Sequence, residues 1–304
     1  MSGFGHGVLN LLRDPPPEFA FEIAADGVAV SRTRPPATMQ QALLKAGAIV
    51  PSPVKENVLD PAALAETIRG LTPAGTGRGK RGVAVILPDN CVRIAVLDFE
   101  TIPEKEEELR PLVSFRLKKS VPFDVDDAAL SYFVQDSSGA NKKVVVTVAP
   151  AEIVAHYEAP FRAAGLHPGL VTVSSLAAVD LLPVMGSIML ARLSPGSLTV
   201  LALTNGVVTV ARTLEIGEED DTLEEIAGVL YPTLAYIEDQ TGARPQKLFI
   251  AGFGEDAHSS AVRLSVELEI EAEALPHAWP GLAGYLASLA APAMPKSRPG
   301  KAAA

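Results

Sequence analysis

The chain of 304 residues contains a single cysteine, Cys91. An internal disulfide is therefore excluded, and so is a zinc site built on thiolates. Histidine offers no substitute, because His6, His156, His167, His258 and His277 are scattered with no pair at metal-ligand spacing. Positive charge is also short: 26 Lys and Arg face 36 Asp and Glu, for a formal net charge of −10. A nucleic-acid backbone is a poor partner for such a chain, since holding phosphates takes clustered Lys and Arg, and only Arg78 to Arg81 is locally basic. Long apolar runs are missing too. A hydrophobic content of 48% would suit a membrane protein. The best candidate span, 181–191, is interrupted by Pro183 and Gly186 and falls short of the roughly 20 apolar residues a bilayer requires. The N-terminus lacks a basic start followed by an apolar core and a small-residue cleavage site. The expectation is a cytoplasmic protein with no direct membrane insertion. Ser174-Ser175 lacks the glycines of a nucleophile elbow, and no pattern points to covalent or acid–base catalysis.

What is present is α/β patterning. "FAFEIAADGVAVSRT" alternates on both sides of Asp26-Gly27, a hairpin signal because both turn positions tolerate positive φ. "DPAALAETIRGL" reads as a helix with Asp60 as N-cap and Pro61 at the first helical position. After the linker "TPAGTGRGKRG", two apolar runs around Pro88-Asp89-Asn90 read as a second hairpin. "PEKEEELRPLVSFRLKKSVPF" reads as a helix with Leu109, Leu112, Val113 and Leu117 on one face. "ALSYFVQD" and "KKVVVTVAP" are strands, "AEIVAHYEAPFRAAGL" a helix bent near Pro160 and closed at Gly165, and "HPGLVTVSS" a further strand. Ser187 to Gly217 alternates like a pair of strands joined at Asn205-Gly206. An acidic helix start at Glu218 to Asp221, a strand "KLFIAGFG" and a last α/β pair follow, and the tail from Ala291 has a disorder-prone composition. A hairpin opens each half, at Phe19 and at Ser187, which is the layout of a duplicated α/β fold with a cleft between halves.

The order of these elements, with Val121-Pro122-Phe123 closing a helix, an acidic lead into the strand from Ala129 to Gln135, and Ala164-Gly165-Leu166 closing the next helix, resembles the type IV pilus assembly protein PilM family, actin-like relatives of FtsA. The likeness runs from about Phe19 to Leu286. It implies an α/β, actin-like (ribonuclease H-like) fold of two lobes with an inserted PilM/FtsA-type small domain and a reduced lid. The expected division is an N-terminal segment 1–18, a first lobe 19–82 continued at 166–186, the inserted domain 83–165, a second lobe 187–290 and a tail 291–304. The resemblance also implies a cytoplasmic adaptor, peripheral to the inner membrane, that binds the tail of a PilN-like protein, with pilus motor ATPases as further partners. The cytoplasmic domain of the type II secretion protein GspL shares this plan and gives an alternative setting.

Actin-like proteins hold nucleotide phosphates and Mg²⁺ between two hairpins, each with an Asp-x-Gly. The resemblance places those positions on Glu22-Ile23-Ala24 and on Arg192-Leu193-Ser194, and the adenosine-side loop on Gly252-Phe253-Gly254. Glu22 keeps a carboxylate, Ala24 adds a Cβ where phosphate must approach, Arg192 cannot ligate a metal, and Pro195 removes a backbone donor. The site reads as degenerate, without a cofactor; ATP with Mg²⁺, bound unconventionally through Glu22 and Arg192, is the alternative. "AGTGRGKR" nearly spells a P-loop, but Arg81 stands where Ser or Thr must be, and the stretch leads from a helix into a strand. For the tail partner the resemblance points to the groove between first lobe and inserted domain, with Leu112, Phe115, Arg116, Lys119, Val121 and Phe123 as candidate contacts. Leu9, Asn10, Leu11 and Leu12 look like the short docking motif at the start of PilN tails and form a possible mimic of the partner.

Overall fold

The computed structural model describes residues 16–35, 37–73, 80–103, 105–135, 141–217 and 222–290. Two five-stranded sheets share one topology. In the first lobe β1 (Phe19–Ile23), β2 (Gly27–Arg32), β3 (Gln40–Leu43), β4 (Gly82–Leu87) and β8 (His167–Val173) lie in the order β3-β2-β1-β4-β8. In the second, β9 (Ser187–Ser194), β10 (Ser197–Thr204), β11 (Val207–Glu215), β12 (Lys247–Ala251) and β13 (Glu271–Ala274) lie in the order β11-β10-β9-β12-β13. Each sheet has an antiparallel three-strand meander followed by two parallel strands. Parallel strands need crossover helices, which here cover the sheets. These helices are α1 (Pro61–Leu71) and α3 (Ala151–Ala163) on the first lobe, and α5 (Leu223–Thr241) and α6 (Ala257–Leu268) on the second.

Between the lobes' segments sits a three-stranded antiparallel sheet, β5 (Arg93–Phe99), β7 (Lys142–Pro150) and β6 (Ala128–Val134), in the order β5-β7-β6, with α2 (Glu106–Leu117) on one face. The period of two along β7 divides its side chains. Val144, Val146 and Val148 pack with Leu109, Val113 and Leu117 of α2, whereas Val145 and Ala149 turn into the main core. Gln135, just past β6, ties this small domain to the second lobe. Its amide donates to Val208 O at 2.8 Å and accepts from Val208 N at 2.7 Å, both buried.

The structure revises several expectations. Pro88–Asn90 is not a hairpin: β4 pairs with β1 and β8, β5 pairs with β7, and a 3₁₀ turn at Asp89–Cys91 carries the chain from one sheet to the other. The expected domain edge at Val83 falls inside β4, and α3 packs on α1 and β8, so the inserted unit runs from the 3₁₀ turn to the end of β7. The stretch from Ser187 holds three strands, because Pro195-Gly196 makes a turn ahead of the one at Asn205 (φ 50°) and Gly206 (φ 78°). The β1–β2 turn uses no positive φ; Gly27 is needed because a Cβ there would lie 2.9 Å from Ala42 O. Leu112 is 44% exposed and off the core face of α2. The last helix, α7 (Pro280–Ala290), crosses back onto the first lobe and packs on α4 (Ser174–Ala178) so closely that a Cβ at Gly284 would lie 2.1 Å from Ala177 O. Helix α5 begins after Thr222, which caps Glu225 N. Glu218–Asp221 therefore precede it, and they fall outside the described residues, as do the N-terminal 1–15, the linker 74–79 and the tail 291–304.

Candidate functional site

Glu22, the last residue but one of β1, turns its side chain into the cleft between the lobes, where it is fully buried. One carboxylate oxygen accepts from Ser174 Oγ and, at 3.3 Å, from the Arg192 guanidinium of the opposite lobe; the other accepts from Leu282 N at 2.7 Å in the first turn of α7. Burial pushes the Glu22 carboxyl up from its ordinary value of 4.5, and Arg192, Ser174 and the Leu282 N–H pull it back only in part. Arg192, on β9, also reaches Asp89 Oδ2 at 3.7 Å and donates to Ser194 Oγ. Asp89 Oδ1 in turn accepts from both N and Oγ of Ser175, each at 2.9 Å. One cation from the second lobe is thus set between two carboxylates of the first, and the carboxylates are held by the starts of α4 and α7, where backbone N–H groups point outward.

Of the positions expected to form a degenerate nucleotide site, the cluster gathers Glu22, Arg192 and Ser194. Ala24 stays on the hairpin turn, where its N–H donates to Gly27 O at 2.9 Å. Gly252 and Gly254, with φ of 85° and 62°, stand beside the hairpin, and a Cβ at Gly252 would lie 2.0 Å from Leu193 O, so this loop is pressed onto the β9 backbone. The donor set does not fit a metal–nucleotide pair. A guanidinium repels the cation it would have to help hold, Glu22 spends its oxygens inside the protein, and Mg²⁺ wants near-octahedral oxygen ligands. Among the described residues no group of three or more His, Cys, Asp or Glu could hold a metal ion. Asp89, Ser174 and Ser175 were not among the sequence candidates; a polar run opening directly onto an apolar strand end, "TVSSLAAV", was the available signal.

A second feature lies on the far side of α4 and α7. The outer strand of the small sheet, β6, faces the outer strand of the first lobe's sheet, β8, across a groove of about 400 Å³. Ala128–Phe133 form one wall, Leu170–Val173 the other, and Leu176, Ala177 and Tyr285 the floor. The Tyr285 hydroxyl is buried with no hydrogen-bond partner among the described residues, and burial pushes its pKa up to about 12. None of the six residues expected to contact a partner lines this groove. Val121 and Phe123 pack into the small domain's core, Arg116 lies over the Phe99 ring at 4.9 Å, and Phe115 is 74% exposed on the outer face of α2 with Leu112. Arg110, from the same helix, does reach the groove and donates to Leu130 O at 3.2 Å. Leu9–Leu12 lie outside the described residues.

Two lobes of one topology closing on a central cleft, with a small domain inserted in the first, define an actin-like α/β fold. No family model and no curated protein sequence matches the chain. Among solved structures, a chain of the PilM–PilN type IV pilus biogenesis complex is similar at a TM-score of 0.75 and 17% identity, over 91% of this chain and 100% of that one. The cytoplasmic domain of EpsL, an inner-membrane component of the type II secretion system of Vibrio cholerae, follows at 0.52 and 12%, over 90% and 93%. A Bacteroides thetaiotaomicron protein with an actin-like ATPase fold gives 0.54 and 11%, over 88% and 94%. At these identities the likeness is one of fold.

Proposed function

We propose that this chain is a PilM-like adaptor of a type IV pilus or related secretion platform, which grips an extended tail of a PilN-like inner-membrane protein and does not hydrolyse ATP. The observation that carries the reading is the groove between β6 and β8. Two sheet edges and an apolar floor suit an added strand, whose main chain would pair with an edge while alternate side chains enter the floor. The PilM–PilN complex that shares the fold supplies the class of partner. The cleft that would hold a nucleotide is instead filled by Glu22, Arg192 and Asp89, which favours a gripping role over a catalytic one. Among the described residues no helix is long and apolar enough to cross a membrane, so attachment to the platform would come through the partner.

The test is a calorimetric titration with a synthetic peptide copying the cytoplasmic tail of the PilN-like protein from the same cell, against the full chain and against Val171→Arg, which places a charge on the groove wall. Binding by the first and a loss of at least about tenfold, some 1.4 kcal/mol, by the second is expected. Absence of binding by the unmodified protein would remove the adaptor reading.

A further inference from the structure

For a chain of net charge −10, one end of the first lobe is unexpectedly basic. It is the end at which β1, β4 and β8 begin and β2 finishes, since Phe19 pairs with Arg32 and Val83, and Gly82 pairs with His167. Arg32 and Arg81 flank the Phe19 ring at 5.7 and 5.1 Å. Arg34 follows two residues on, Lys80 precedes Arg81, and α3 delivers Arg162 beside the start of β8, where Gly165 N donates to Arg162 O and His167 N to Arg81 O. Against these five cations stand, among the described residues, two bonded carboxylates, Glu18 on Arg81 at 3.0 Å and Glu158 on Arg162 at 2.8 Å. Arg32, Arg34 and Lys80 are exposed and have no ion pair among the described residues. With this end net positive, the remainder of the molecule carries more than the whole net negative charge. Such separation gives the protein a strong dipole and a preferred face toward any anionic surface.

We propose that this pole, centred on Arg32, Arg34 and Lys80, is a docking face for the anionic headgroups of a bilayer. The choice of a membrane over another polyanion rests on the platform-adaptor reading: β8 supplies both a wall of the groove and, at its first residue, part of the pole, so a gripped tail would bring this end within reach of the bilayer that anchors it. The contact is electrostatic and superficial, since the central cations Arg32, Arg34 and Lys80 sit at the end of β2 and on the segments just outside β2 and β4 rather than on an amphipathic helix. It therefore falls away when salt shortens the screening length from roughly 14 Å at 0.05 M toward 3 Å at 1 M.

The test is flotation of the full chain with vesicles of phosphatidylcholine containing about a third phosphatidylglycerol, and with pure phosphatidylcholine, at about 0.05 M and 1 M salt. Binding to the anionic vesicles at low salt alone is expected, and R34E/K80E should weaken it at least about 25-fold, taking about fivefold for each charge removed. R34Q/K80Q, checked for an unchanged melting temperature, gives the same reading without charge reversal. Absence of flotation, flotation insensitive to both variants, or tighter binding to duplex DNA than to the vesicles would overturn the proposal. The vesicle assay contains no tail and the peptide titration no lipid, so the two readings fail separately.

Discussion

Replacing Arg192 by Met is the most informative perturbation of the cleft. The side chain is 9% exposed and sits between Glu22, fully buried at 3.3 Å, and Asp89, fully buried at 3.7 Å. Met fills much of the volume but leaves two buried carboxylates facing each other with no cation. Breaking a buried ion pair by removing one partner costs about 3–5 kcal/mol, because the survivor keeps its desolvation penalty. For a chain of this size that corresponds to a fall in melting temperature of roughly 5–8 °C by calorimetry or near-UV circular dichroism. The sign with pH follows from Glu22. Its pKa in the fold lies above 4.5, so between 4.5 and that raised value the folded state binds more protons than the unfolded one. The contribution of this group is therefore most favourable below 4.5 and declines as pH rises through the window. Removing Arg192 takes away a charge that holds the pKa down, so the variant's deficit should shrink on acidification. The triple variant Glu22→Gln, Asp89→Asn, Arg192→Met, which keeps the shape and removes every charge, should recover most of the loss. A melting temperature for Arg192→Met within about 1 °C of the parent, or no recovery in the triple variant, would refute the view that this cluster latches the lobes.

ATP with Mg²⁺ should give no binding heat, and a dissociation constant tighter than about 100 μM, some 5.5 kcal/mol, would instead restore the ATPase alternative. Gln135→Ala leaves Val208 N and O unpaired in a buried setting and should lower stability in urea by about 2–4 kcal/mol; an unchanged midpoint would mean that water replaces the amide. Gly284→Ala should destabilise by more than about 2 kcal/mol, since its Cβ would meet Ala177 O and Ala178 Cα in backbone that cannot move aside, and a tolerated substitution would show that α7 is held less tightly on α4. Deleting residues 1–13 should tighten binding of the tail peptide several-fold if Leu9–Leu12 compete for the groove, and equal affinities would discard that mimic.

The parts legible in the sequence were those fixed by near neighbours. Asn205-Gly206 marked a hairpin because both residues take positive φ, Asp60 and Pro61 marked a helix start, and the valines of β7 advertised a strand. The misread segment, Pro88 to Asn90, carries turn residues and does turn, but its local chemistry cannot say that the strands on either side belong to different sheets. The groove was hidden for a related reason. Alternation along β6 and β8 tells which face of each strand is buried, whereas the groove lies along their edges, and edges are set by which strands are absent from the pairing. The apolar partner candidates on α2, Leu112 and Phe115, lie on its outer face, away from the groove.

Arg192 carries the deepest version of this problem. In the sequence it reads as the loss of an aspartate, a defect at one position. In the fold it is a cation placed between Glu22, 170 residues away, and Asp89, so that two carboxylates of one lobe share a cation of the other. A metal–nucleotide bridge between lobes is exchangeable, whereas a covalently attached guanidinium is always present, so the contact between Arg192 and the two carboxylates would persist without any ligand. The groove shares α4 and α7 with that latch: Ser174 and Ser175 grip the carboxylates while Leu176 and Ala177 line the groove, and Leu282 caps Glu22 one helical turn before Tyr285. On the adaptor reading proposed above, a groove built on the same helices as the latch would keep its shape without any ligand, which a nucleotide-driven switch would have to give up.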